Sequence, residues 1–80
     1  MWIIYIVECN DNSKTLYTGI TNNLDKRIAA HNSGRGAKYT KGRRPVILKK
    51  SFIVETKSEA LKIEYKIKQL SKEEKLKFEI

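Results

Sequence analysis

The sequence predicts a small α/β (α+β) domain whose elements run β-β-α, then a basic loop, then β-α-α. Three observations predict it. An apolar run rich in Ile is followed by a turn cluster and a second β-prone run. Two later stretches repeat apolar residues at i, i+3 and i+4 behind helix-capping residues. With 80 residues and 40% apolar content, the chain can bury one modest core, and it is read as a single domain over residues 1–80.

Trp2 to Val7 is unbroken in apolar character, as expected of a strand covered on both faces. Asn10 to Ser13 is a turn cluster, and Thr15 to Ile20 resumes β character, so the first twenty residues form a hairpin. A turn centred on residue 11 sets Tyr5 directly opposite Tyr17, with both rings on one face. A slip of one residue separates them onto opposite faces. Thr21, Asn22 and Asn23 then offer N-caps, and Leu24 and Ile28 recur at i and i+4, predicting a helix over about 23–32. Arg27 and His31 share that spacing and border the same stripe.

A glycine-rich basic loop follows and ends near Pro45. Val46 to Val54 reads as a third strand. Thr56-Lys-Ser-Glu59 matches a capping box, and the helix behind it has Ala60, Ile63, Ile67 and Leu70 as its apolar stripe. Glu64 projects about 40° from Ala60, at the edge of that stripe. A carboxylate there requires a partner. Ser71-Lys-Glu-Glu74 is a second capping box, opening a short terminal helix that carries Leu76 and Ile80.

The formal charge is +8, and it is unevenly placed. Between Lys26 and Val54 lie Lys26, Arg27, Arg35, Lys38, Lys41, Arg43, Arg44, Lys49 and Lys50, with no acid among them. This block reads as a face for a polyanion. Its centre, Ser33 to Pro45, mixes glycines and cations with Tyr39, suited to tracking a phosphate backbone while stacking a base or sugar. Lys26, Arg35, Lys38, Tyr39, Lys41, Arg43 and Arg44 are therefore the candidate nucleic-acid contacts. A single cysteine excludes an internal disulfide, and the cytosol is the natural compartment. The apolar N-terminal run is interrupted at Glu8, which makes it neither a signal peptide nor a membrane span.

Tyr5, Tyr17, Arg27, His31 and Glu64 break the apolar pattern where elements pack. Singly, each has an ordinary explanation: half-buried packing for the tyrosines, a solvated rim or an Arg27–Glu64 ion pair for the charges, a structural role for the histidine. Together they suit metal-assisted phosphodiester hydrolysis. A carboxylate can hold a hydrated divalent ion, an arginine can clamp phosphate, and a phenol or imidazole can activate water.

Ile3-Ile4-Tyr5, Tyr17-Thr18-Gly19, Leu24-x-x-Arg27-x-x-x-His31-Asn32 and a late Glu64 resemble the GIY-YIG nuclease domain. The sequence looks closest to small bacterial proteins consisting of that domain alone, and the likeness extends over nearly the whole chain. The resemblance implies a three-stranded antiparallel sheet flanked by helices, and DNA cleavage with one Mg²⁺ or Mn²⁺. It further implies that Glu64 ligates the metal, Arg27 clamps the phosphate, and Tyr5 and Tyr17 position and deprotonate water. His31 is then a further candidate base, and Gly19 permits close backbone approach. The assignment of the base among Tyr5, Tyr17 and His31 stays open. Two positions depart from the pattern: Ile3 replaces the first glycine, and Thr18 replaces an apolar residue.

Relatives that cut DNA specifically attach a second, DNA-finding domain. Targeting here is therefore expected from the basic loop or from a protein partner, with DNA, branched and damaged forms included, as substrate. The alternative reading is a nucleic-acid-binding module of the same fold without useful turnover.

Overall fold

The computed structural model describes residues 1–80. Seven elements follow one another: β1 (Trp2–Glu8), β2 (Leu16–Thr21), α1 (Leu24–Asn32), α2 (Lys38–Lys41), β3 (Ile47–Val54), α3 (Lys57–Lys68) and α4 (Lys72–Lys77). The strands form one antiparallel sheet in the order β2-β1-β3. The apolar run occupies the middle of that sheet, and Ile4, Tyr5, Ile6 and Val7 are all completely buried. Neither face of this middle stretch of β1 meets water, which is why its sequence does not alternate.

The hairpin register differs from the expected one by two residues. Tyr5 pairs with Gly19, and Tyr17 pairs with Val7, so the turn centres on residue 12. Its chemistry explains the extra length. The Asp11 carboxylate accepts from both the backbone N–H and the hydroxyl of Thr15, and Lys14 adopts a left-handed φ of 51° to close the loop. Those two bonds from Thr15 also hold the Asp11 carboxyl below its usual pKa. A shift of two keeps every side chain on its face, so Tyr5 and Tyr17 still share one side, as diagonal neighbours.

Each sheet face carries its own core. On one, Ile4, Ile6 and Leu16 pack under Ala60 and Ile67 of α3, and Phe78 meets Phe52 edge-on at 5.6 Å. On the other, Tyr5, Val7, Cys9 and Val46 pack with Tyr17 and with Leu24 and Ile28 of α1. The second face positions the polar groups of interest. Asn23 caps α1 by accepting from the Lys26 N–H, and at the far end of that helix Asn32 accepts from the Val46 N–H at 2.7 Å. The helix is thereby tied to the residue that leads into β3.

Three details differ from expectation. The basic loop contains a helical turn, α2, whose sequence gives no amphipathic signal over only four residues. At Thr56 the box is half formed: its hydroxyl accepts from the Glu59 N–H, but the Glu59 carboxylate bonds that same hydroxyl instead of the cap's backbone. The Ser71 box is complete. Ile80 lies beyond α4 and is 70% exposed, and Phe78 takes the core position instead.

Thr18 faces the α3 side opposite Ile6, and its buried hydroxyl has no partner. An unsatisfied buried hydroxyl is destabilising, so Thr18→Val, of similar shape, is expected to add about 1 kcal/mol of stability. A urea midpoint that falls instead would mean that the hydroxyl is satisfied.

Candidate active site

A continuous hydrogen-bonded run crosses the α1 face of the sheet. The Arg27 Nε–H donates to Tyr5 Oη at 3.2 Å, Tyr5 Oη lies 2.8 Å from His31 Nε2, and His31 Nδ1 lies 2.7 Å from Thr40 Oγ1. Tyr5, His31 and Thr40 are fully buried. Geometry follows from the register. Tyr5 stands opposite Gly19, and its ring lies over the glycine so closely that an added Cβ would sit 2.5 Å from Oη. Gly19 thus leaves the space in which the phenol reaches α1. Gly36 does the same for the loop, since a Cβ there would collide with the His31 ring.

Tyr17 joins through its ring. It meets His31 edge-on at 5.5 Å and stacks on Tyr39 at 5.8 Å with a 21° tilt, while the Arg43 guanidinium caps Tyr39 at 4.2 Å. Arg43 also bonds the Tyr39 carbonyl and pairs with Asp11 at 3.3 Å. Arg44 donates to the Lys41 carbonyl. Two arginines read from the sequence as phosphate contacts, and the tyrosine read as a stacking platform, therefore have internal partners that fix the loop against the site. Lys26, Arg35, Lys38 and Lys41 are exposed with no side-chain partner. Lys50 points elsewhere and ties down the C-terminus through the Leu76 and Phe78 carbonyls and Glu79.

Burial is the largest influence on Tyr5 and raises its pKa above the phenol value; the Arg27 hydrogen bond and charge oppose that rise. Burial, and then the Arg27 charge, lower the pKa of His31. At neutral pH the pair is therefore a neutral phenol beside a neutral imidazole. The Arg27 guanidinium is held more firmly protonated by its bond to Tyr5.

Glu64 makes its ion pair with Lys68 on its own helix, at 3.3 Å, and none with Arg27. The inter-helix bridge considered from the sequence is absent: Arg27 is aimed at Tyr5, and Glu64 at Lys68. Glu64 nevertheless lies near enough for its charge to bear on Tyr5, as the smallest of five influences. Beside Arg27 opens a polar concavity of about 250 Å³, lined by Thr21, Asn22, Asn23, Lys26, Arg27 and Ala30. Neither tyrosine nor Glu64 lines it. Tyr5, Tyr17, Arg27 and Glu64 therefore do not line one open groove: Tyr5 and His31 form a buried pair, and Arg27 spans from it to solvent.

Thr40 was not singled out by the sequence reading. A threonine in a glycine-rich polar stretch has no local signature, and its partner is nine residues away on another element.

Comparison with known proteins bears on what this arrangement is. The profile of the GIY-YIG catalytic domain matches residues 1–77. The chain belongs to the GIY-YIG family. That family is one of nucleases that act on DNA and generally depend on a divalent metal. Among GIY-YIG relatives, UPF0213 protein SH2523 of Staphylococcus haemolyticus is 57% identical over 74 residues, spanning 92% of this chain and 88% of its own length. UPF0213 protein VNG_2274C of Halobacterium salinarum is 50% identical over 72 residues, spanning 90% and 91%. The solution structure of UPF0213 protein BH0048 from Bacillus halodurans superposes with a TM-score of 0.55 at 43% identity, covering 94% of this chain and 79% of that one. The three-stranded antiparallel sheet with flanking helices is common to both structures. No helix is long and apolar enough to cross a membrane.

Proposed function

We propose that the protein is a divalent-metal-dependent endonuclease that hydrolyses DNA phosphodiester bonds with little sequence preference. The observation that carries this reading is the run from Arg27 through Tyr5 to His31. It brings a cation, a phenol and an imidazole lone pair together at one hydroxyl oxygen.

Arg27 uses Nε on Tyr5, which leaves both terminal nitrogens without partners on the wall of the polar concavity. A backbone phosphate seated there would be held by the guanidinium in the two-pronged fashion that arginine favours. Tyr5 at rest is neutral and cannot be the base by itself. It can take a proton from water only as it surrenders its own, and the His31 lone pair beside it is the acceptor. Lowered basicity keeps His31 in the receptive neutral form at pH 7.

The donor set suits a hydrated Mg²⁺ or Mn²⁺. Nowhere does the chain gather three His, Cys, Asp or Glu side chains, so a Zn²⁺-like cage is not on offer, whereas a single carboxylate with water is what Mg²⁺ accepts. Glu64 would hold the ion. Its pair with Lys68 is an i,i+4 contact worth only about 0.3–0.5 kcal/mol, a small loss when a metal replaces the lysine. When bound, the ion supplies charge neutralisation at the scissile phosphate.

The complete burial of Tyr5 and His31 favours a second reading, a nucleic-acid-binding module without useful turnover. One experiment separates the two. Plasmid, branched and single-stranded DNA are incubated with the protein and Mg²⁺ or Mn²⁺, alongside Glu64→Gln and Arg27→Ala. Nuclease action predicts that both variants cut roughly 100-fold more slowly or worse and that EDTA stops cleavage. Wild type no faster than Glu64→Gln would leave the binding module.

A further inference from the structure

The proton positions along the buried run follow from counting donors. Thr40 Oγ1 lies 2.9 Å from the Ala37 carbonyl oxygen, which can only accept, so the one hydroxyl proton of Thr40 is committed there. Thr40 therefore meets His31 Nδ1 with a lone pair, and the proton in that 2.7 Å contact belongs to Nδ1. A neutral imidazole has one N–H. Nε2 consequently offers a lone pair, and the Tyr5 hydroxyl donates to it at 2.8 Å while accepting from Arg27. With the other tautomer, the hydroxyl of Thr40 would turn to Nδ1 and leave the Ala37 carbonyl to the Thr40 N–H alone at 3.1 Å, while Tyr5 Oη would face two donors, Arg27 Nε–H and His31 Nε2–H, with no acceptor for its own buried proton.

We propose that Thr40 is a positioning residue whose hydroxyl locks His31 in the Nδ1–H tautomer, so that Nε2 is the acceptor for the Tyr5 proton. The catalytic part of this proposal rests on the nuclease reading above; the tautomer does not. Once substrate binding admits the attacking water to Tyr5 Oη, which is enclosed at rest, Oη takes a proton from it as its own O–H bond breaks and an Nε2–H bond forms. The hydroxide bonds to phosphorus as the bond from phosphorus to the leaving oxygen breaks, and that oxygen draws a proton from solvent. The imidazolium keeps its Nδ1–H on Thr40, and the Nε2 proton afterwards returns through Oη to water. The basic loop gains a second duty: Gly36 lets it cross the imidazole, and α2 delivers the Thr40 oxygen.

His31 is the only histidine of the chain, so the ring nitrogens of uniformly ¹⁵N-labelled, tag-free protein need no assignment. At neutral pH the expected spectrum has a protonated Nδ1 and an unprotonated Nε2. Thr40→Val, close in shape, is expected to move the ring to Nε2–H or to a mixture. Its kcat on supercoiled plasmid with Mn²⁺ should fall about tenfold or more with KM little changed, and Thr40→Ser should restore both readouts. Thr40→Ala replaces the valine variant if circular dichroism finds that it does not fold. A wild-type spectrum with Nε2–H, or a valine variant that keeps Nδ1–H, overturns the tautomer whatever the cleavage assay gives. The expected tautomer together with undiminished cleavage by Thr40→Val overturns the catalytic role. Should wild type not cleave at all, that role falls with the nuclease reading, and the spectrum still decides the tautomer.

Discussion

Tyr5→Phe is expected to lower kcat for DNA cleavage by roughly 100- to 10,000-fold, the range that a positioned acid–base group contributes. Phenylalanine keeps the ring over Gly19 and removes only Oη, the one atom shared by Arg27 and His31. Arg27 loses the acceptor that aims its guanidinium, and His31 Nε2 is left buried with no proton to receive. The substitution also strands a buried acceptor, at a cost of about 1–3 kcal/mol, so thermal unfolding must be followed in parallel and cleavage compared where both proteins are folded. Plasmid cleavage within about threefold of wild type would exclude Oη from the proton path.

Gly19→Ala should damage stability and cleavage together. The added Cβ would stand 2.5 Å from Tyr5 Oη and 2.7 Å from Cζ, closer than atoms can approach. Tyr5 cannot simply swing away, because it is wholly enclosed and bonded at both sides of its hydroxyl. Overpacking of this kind costs about 1–3 kcal/mol, and displacing Oη by 1 Å costs on the order of 100-fold in rate. Unfolding by urea and plasmid cleavage at matched folded fractions measure the two effects. An alanine variant as stable and as active as wild type would contradict the packing of Tyr5 over Gly19. Replacing both residues at once, Gly19→Ala with Tyr5→Phe, should cost less than the sum of the two alone in activity, since both act through one oxygen.

Much of this was legible in the chain because its signals are local. The unbroken run Trp2–Val7 announces a strand covered on both faces, the Thr21–Asn23 cluster and Ser71 announce helix starts, of which the structure uses Asn23 for the first, and Ala60 and Ile67 belong to the stripe expected to be buried in α3. The sharing of one face by Tyr5 and Tyr17 followed from the expected turn at residue 11 and survives its move to residue 12, because a register shift of two preserves parity. The exact register was not readable, because the turn length depends on Asp11 folding back on Thr15. At the site, Arg27 and His31 could be paired from their i,i+4 spacing. Thr40 could not be joined to them, because only tertiary packing brings the loop over α1. Nor could the sequence tell that Arg27 would spend its Nε on Tyr5 and leave Glu64 to Lys68.

The anchoring of Arg43 and Arg44 divides the protein's positive charge into two kinds. A lysine or arginine side chain carries about 2 kcal/mol of rotamer entropy, which it surrenders when it settles on a phosphate. Arg43, over the Tyr39 ring and paired with Asp11, and Arg44, bonded to a loop carbonyl, have already surrendered much of theirs on folding. They contribute a fixed potential around the tyrosine stack without further ordering. On the nuclease reading proposed above, Lys26, Arg35, Lys38 and Lys41, which keep their freedom, would follow whichever backbone arrives, each contact losing part of its gain to the order it imposes. A rigid field at the centre with pliant charges around it would then hold a strand in place at Arg27 while tolerating many shapes of nucleic acid further out.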